Sequence, residues 1–179
     1  MAIELDQKGV VARLPKVSSL LRPLRTDEKP VGCDFDRSAI GAGRIIAAHD
    51  GPIPAGGNYR SWYFRTAIDG LRGQYFEVWR EAGQLFTLSQ AYLHLYRIGA
   101  NAAELDEIVA LHSDPADTNK YKIGPHIHVA LAEHPLHRCH FALDLGRLEE
   151  VTSTIASLDT ALQRAIQLVA DEVLGAYRN

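Results

Sequence analysis

Cysteine is nearly absent from this chain: Cys33 and Cys139 are the only two among 179 residues. Two thiols so far apart exclude a disulfide-rich scaffold, and with no apolar signal segment they predict a reducing, cytoplasmic setting with free thiols. No stretch reaches the run of about 18 apolar residues that a membrane span needs. An excess of positive charge is missing too, with 19 Lys and Arg against 22 Asp and Glu, a formal charge of -3. That excludes nucleic-acid binding through an overall basic field and leaves a local basic face as the only electrostatic route. Internal repeats and low-complexity tracts are also lacking. What remains is ordinary globular composition, 46% hydrophobic and 23% charged, at a length suited to one domain.

Proline punctuates the first thirty residues at Pro15, Pro23 and Pro30, which predicts a short helix over residues 17–24 bounded by proline on both sides. This arm is basic, with Lys8, Arg13, Lys16, Arg22, Arg25 and Lys29 against Glu4, Asp6, Asp27 and Glu28. It packs on its own domain or contacts a partner. From residue 42 the texture changes. Segments 44–49, 61–68, 74–80, 84–88 and 91–98 are rich in Ile, Val, Tyr, Phe and Trp, and Gly51-Pro52, Gly56-Gly57-Asn58, Asp69-Gly70 and Ala82-Gly83 separate them. This spacing predicts an antiparallel meander. Tyr75, Glu77 and Trp79 alternate with Phe76, Val78 and Arg80, so one sheet face is expected to be covered and the other to be more polar.

Asn101 and Glu104 read as a helix cap and its partner, predicting a helical turn that runs into a strand ending near His112. Beyond Asp144 the pattern is helical: a short helix over residues 147–153, then a long one capped by Ser157 or Asp159. Leu158, Leu162, Ala165, Ile166, Val169 and Val173 form one stripe of that helix, which packs on the sheet or forms a dimer interface. The expected fold is α+β, an antiparallel β-sheet of about five to seven strands with a C-terminal helix packed on one face and a short helical N-terminal arm. Residues 1–30 form the arm and residues 31–179 a single domain.

Histidine is what the chain concentrates. Five of the eight lie between His126 and His140, and imidazole both titrates near neutral pH and binds metals. Residues 124–131 and 136–143 read as two strands joined by a turn that contains Glu133 and His134. Ile127, Val129 and Leu131 share one parity, as do Cys139, Phe141 and Leu143. His126 and His128 then project from the opposite face, joined by Arg138 and His140. A register pairing His128 with Arg138 or His140 keeps both apolar rows inside and sets opposed Cβ atoms about 5 Å apart. His137 turns inward or ends its strand. His112 and Asp114 form a secondary candidate, while His49 and His94 stand alone as ordinary strand residues.

Three chemistries fit this face. In a phosphodiesterase one imidazole is the base and a second the acid, and Arg138 offsets charge on the phosphorane. Lys120, Tyr121 and Lys122 lie just upstream, as loop solvation or as a polyanion hold. A divalent metal held by His126, His128 and His140 is an alternative source of the nucleophile. A cupin-like site is the second class: His126-x-His128 followed by Glu133 has the spacing of the first cupin motif, although Gly124 lies too close to the first histidine and the later glycine is missing. The third class is a non-enzymatic module that binds another protein through this face or through the terminal helix.

Leu111-His112-Ser113-Asp114-Pro115, then Gly124-Pro125-His126-Ile127-His128-Val129 and a closing helix, resemble the TumE-type toxins of bacterial toxin–antitoxin systems. The resemblance spans residues 60–150 and rests on the family's Pro-His-x-x-x-x-x-Pro-His-x-His region. The family's Asp-Asn-x-Pro lead-in is missing, and the basic arm and the second histidine strand have no counterpart. The resemblance implies a bacterial, cytoplasmic protein that acts on RNA and is neutralised by a helix-turn-helix antitoxin, with His112, His126 and His128 as functional residues. The expected function is therefore a histidine-dependent hydrolase cleaving a phosphodiester in RNA. Its partners would be the RNA and either an antitoxin-like protein or a second copy docked through the C-terminal helix, with no membrane involved.

Overall fold

The computed structural model describes residues 3–25, 32–36, 43–50, 62–99, 105–113, 126–129, 139–142 and 148–177; at 34–36, 43, 105, 112–113, 126–129, 139–142, 148–149 and 177 it describes the backbone alone. The chain enters through a two-residue strand, β1 (Glu4–Leu5). Asp6, in extended conformation, then accepts a hydrogen bond from Gly9 N at 2.7 Å and caps helix α1 (Gln7–Leu20). This N-cap satisfies one of the donors that the first turn leaves open. The helix is longer than the expected residues 17–24, and Pro15 lies inside it. An interior proline removes one backbone hydrogen bond and crowds the carbonyl four residues back. Pro15 and Val11 are both exposed, so the disturbance falls on the solvent side, where water can take that carbonyl. Val10, Arg13, Val17 and Leu20 form the buried side. A 3-10 turn (Arg22–Leu24) containing Pro23 closes the segment.

The sheet is antiparallel throughout. Its strands are β2 (Gly32–Asp36), β3 (Gly43–His49), β4 (Phe64–Arg65), β5 (Leu71–Ala82), β6 (Leu85–Ile98), β7 (Leu105–Ser113), β8 (His126–Val129) and β9 (Cys139–Ala142). Seven of them run in the order β2-β3-β5-β6-β7-β8-β9, with β1 added on β6 and β4 on β5, and the whole curls into a half-barrel. Segments 84–88 and 91–98, expected as separate strands, form the single strand β6. The register passes from Val78↔Gln90 to Trp79↔Leu88, leaving Ser89 as a bulge. No helical turn is found within residues 105–113, which are extended; Asn101 and Glu104 lie outside the described residues. A second bulge leaves Ile108 unpaired, between Leu95↔Val109 and Tyr96↔Glu107.

Glycine is required at Gly83 and Gly73, among other described positions. Gly83, with φ +67°, takes the left-handed position of the two-residue β5–β6 turn. At Gly73 a Cβ would lie 2.3 Å from the Phe64 ring on the paired strand, so the ring occupies the room that a side chain would need.

Both helical layers cover one sheet face. Leu148–Val151 form a short helix α2, and α3 (Ile155–Leu168) follows, continued by a π-helical segment (Val169–Leu174) and a last turn (Gly175–Tyr177). The cap of α3 is Thr154, in place of the expected Ser157 or Asp159. Thr154 accepts from Ser157 N and Ser157 Oγ accepts from Thr154 N, each at 3.1 Å, so Ser157 is the reciprocal member of a capping box. Leu158, Leu162, Ile166 and Val169 from α3 and its extension meet Val10, Val17, Leu21 and Leu24 from the arm over Tyr75, Trp79, Leu93, Leu95 and Leu111. Burying each large side chain contributes roughly 1.5–3 kcal/mol, which is why the terminal stripe sits in this core. Among the described residues no helix is long and apolar enough to cross a membrane.

One polar network crosses the seam. Glu77, 0% exposed, receives Arg13 Nε at 2.8 Å, Arg13 Nη2 at 2.5 Å, Tyr75 Oη at 2.7 Å and Trp79 Nε1 at 3.0 Å. Arg13 Nη1 also reaches Asp159 Oδ1 at 2.9 Å. Burial alone would lower the Arg13 pKa, but the Glu77 charge and hydrogen bonds outweigh it, and the guanidinium is held above its ordinary value. The Tyr75 phenol is raised well above its ordinary value by burial and by the Glu77 charge. The network ties α1 and α3 to the middle of β5.

Candidate functional site

The register determines which residues share the face away from the helices. Opposed residues of an antiparallel ladder lie on the same face, and here they line up in lanes across the sheet. One lane runs Ala47, Phe76, Tyr92, His112, His126, Ala142. The next runs Gln74, His94, Ala110, His128, His140. A third holds Arg65, Arg72, Tyr96 and Glu107. The intervening lane Leu93, Leu111, Ile127, Phe141 begins with core residues packed under the helices. By this register positions 127 and 141 belong to the helix-side face of the sheet, and positions 112, 126, 128 and 140 to the other.

His128 is paired directly with His140, and His126 with His112. Four expected site residues thus hold adjacent positions of one face, with paired Cβ positions about 5 Å apart. Arg138, the fifth, lies outside the described residues, as do Asp114, Lys120, Tyr121, Lys122, Glu133, His134 and His137. Among the described residues no group of three or more His, Cys, Asp or Glu side chains is gathered as for a metal ion; the side chains at 112, 126, 128 and 140 do not belong to that set.

The part of the face described in full shows what the histidine strands adjoin. His94 Nδ1 lies 2.8 Å from Glu107 Oε2, with 12% and 15% of the two side chains exposed. A carboxylate only accepts, so in the neutral ring Nδ1 carries the hydrogen and Nε2 holds the lone pair. The ring is stacked between Phe76 (6.0 Å, 11°) and Tyr96 (5.7 Å, 3°), and Tyr92 meets it edge-on at 6.0 Å. Tyr63 closes the row against Tyr96 at 5.7 Å and 89°, its phenol pushed above the ordinary value by burial. Trp62 covers Ile45, Ala47 and Phe76; its buried Nε1 has no acceptor among the described residues.

By sequence alone His94 is an isolated strand residue, and Glu107 carries no signal of its own. The alternation Tyr92-His94-Tyr96 against Leu93 and Leu95 is the one local hint for the first. Chemically, the face combines a carboxylate-oriented imidazole, four further histidine positions and flanking aromatic rings. Such a set supports proton transfer, metal ligation or the stacking of planar ligands. No family model matches the chain, and neither a curated protein nor a solved structure is similar to it.

Proposed function

We propose that this face is the active surface of a histidine-dependent hydrolase that cleaves a phosphodiester in single-stranded RNA. The observation that carries the reading is the pair of lanes joining His112 to His126 and His94 to His128 and His140 on one sheet face. In the proposed step the ribose 2′-oxygen attacks phosphorus and gives its proton to one imidazole. The bond to the 5′-oxygen breaks, and a second imidazole protonates that leaving oxygen, which produces a 2′,3′-cyclic phosphate. His94, oriented by Glu107, takes the base role in this proposal, which requires its buried Nε2 to be uncovered when the strand binds, and His128 stands two strands away across Ala110, about 10 Å backbone to backbone. Paired neighbours about 5 Å apart would touch one another; one intervening strand leaves space for a phosphate between base and acid. Arg138 would offset charge on the phosphorane.

A metal-assisted form of the same reaction would draw on His126, His128 and His140, which hold adjacent positions of the paired strands, as nitrogen donors. The toxin-like setting, a bacterial cytoplasm with a protein inhibitor, belongs to this proposal as its biological frame. Incubating the purified protein with single-stranded RNA, with and without a chelator, tests it. Cleavage to cyclic-phosphate ends that survives chelation supports the imidazole pair, and cleavage lost on chelation supports the metal form. Intact RNA with and without added divalent metal would overturn both in favour of a binding module.

A further inference from the structure

We infer that Arg65 and Arg72 form a second, anion-binding subsite on the same face, which takes a backbone phosphate of a single-stranded nucleic acid beside the imidazoles. The inference deepens the hydrolase reading and rests on it for the identity of the ligand. Arg65 and Arg72 are directly opposed across β4 and β5. Like charges in this arrangement repel, and a sheet gains nothing from them unless an anion lies between. The carboxylate nearby does not suffice. Asp50 Oδ2 accepts from the Arg65 backbone N at 2.5 Å and from Arg65 Nε at 3.3 Å, while Oδ1 takes Arg25 Nη1. Asp50 is thus shared between two guanidiniums, and Arg72 has no carboxylate partner among the described residues. Its one hydrogen bond there goes to Leu71 O, at 3.1 Å.

Both arginines are accessible: Arg65 is 70% exposed and Arg72 half-buried. The guanidinium forks of two directly opposed arginines suit the several oxygens of a phosphate better than one carboxylate does. Their place in the face supplies the rest. Arg72 is opposite Tyr96, whose ring lies parallel to that of His94, and one step of two residues along the strand, about 6.7 Å, separates the arginine lane from the lane of His94 and His128. A cationic edge, then aromatic rings, then imidazoles is the order in which an extended strand would be held by phosphate and base before being cut. With a formal charge of -3 the molecule offers no general field for a polyanion, so binding requires local cations of this kind.

Fluorescence anisotropy with an oligothymidylate of about ten residues tests the subsite, because a strand lacking the 2′-hydroxyl can bind without being cut. The wild-type protein should bind it with an affinity that falls as salt rises. An R65Q/R72Q protein should bind at least about tenfold more weakly at low salt, with a slope of log affinity against log salt shallower by about 1.4, or roughly 0.7 for each arginine replaced. Asp50→Asn should bind more tightly than wild type, a gain that misfolding cannot imitate. Inorganic phosphate should compete with the strand for wild type and much less for R65Q/R72Q. Equal affinity and slope in wild type and R65Q/R72Q, or no binding by wild type, would overturn the subsite. RNA cleavage is scored separately. A protein that binds the strand through these arginines yet leaves RNA intact keeps the subsite and loses the hydrolase reading, and one that cuts RNA while ignoring the substitutions does the reverse.

Discussion

The two faces of this sheet treat their charged residues in opposite ways. Under the helices, Arg13 and Glu77 are almost wholly buried, at 2% and 0% exposure, and the polar atoms of Glu77 meet a guanidinium, a phenol and an indole. On the other face Arg72 stands half-buried without a carboxylate partner among the described residues, opposite a second arginine. His94 is oriented by Glu107 yet only part-buried, and further histidines occupy adjoining lanes. Closed networks fix how elements pack; open, directed groups are what a ligand needs. The contrast assigns stability to the first face and makes the second the place of the proposed chemistry.

The largest effect should come from opening the closed network. Glu77→Ala leaves the buried Arg13 charge with only Asp159 for a partner and is expected to cost about 3–5 kcal/mol in urea unfolding; a loss below about 1 kcal/mol would show that the seam tolerates an unpaired guanidinium. Thr154→Ala removes the α3 cap and should cost about 1 kcal/mol by the same measurement. Tyr75→Phe probes the closed network through pH. The phenol is raised in the folded protein and ionises near 10 in the unfolded chain, so its contribution is complete below pH 10 and is lost as pH rises towards the folded value. Wild-type stability should fall above pH 10 by up to about 1.4 kcal/mol per pH unit from this group, and the variant should show a flatter decline. The smallest effect is expected on the open face, where Arg72→Gln breaks no ion pair of the described residues and should change stability by less than about 0.5 kcal/mol.

Much of the architecture is legible in alternation and turn residues. The hairpin that holds the histidines is readable because Ile127, Val129, Cys139 and Phe141 alternate with histidine at three of the neighbouring places, and only one strand parity buries the apolar set. The arm is harder. Pro15 looks like a helix boundary, and nothing local announces that it will fall on the exposed side of a longer helix. His94–Glu107 is hidden for a similar reason. In an unbroken strand Glu107 would share a face with Val109 and Leu111, which are core residues. The bulge at Ile108 reverses that parity and brings Glu107 to the imidazole. Arg65 and Arg72 are joined only by the pairing of a two-residue strand, too short to show any alternation.

The decisive experiment for this division of labour between the faces is cleavage of single-stranded RNA by wild-type protein and by an H126A/H128A protein, with thermal unfolding recorded on both. The double variant should lose turnover while its unfolding midpoint stays within a few degrees of wild type. Full turnover in the variant, or a collapse of its cooperative unfolding, would contradict that division.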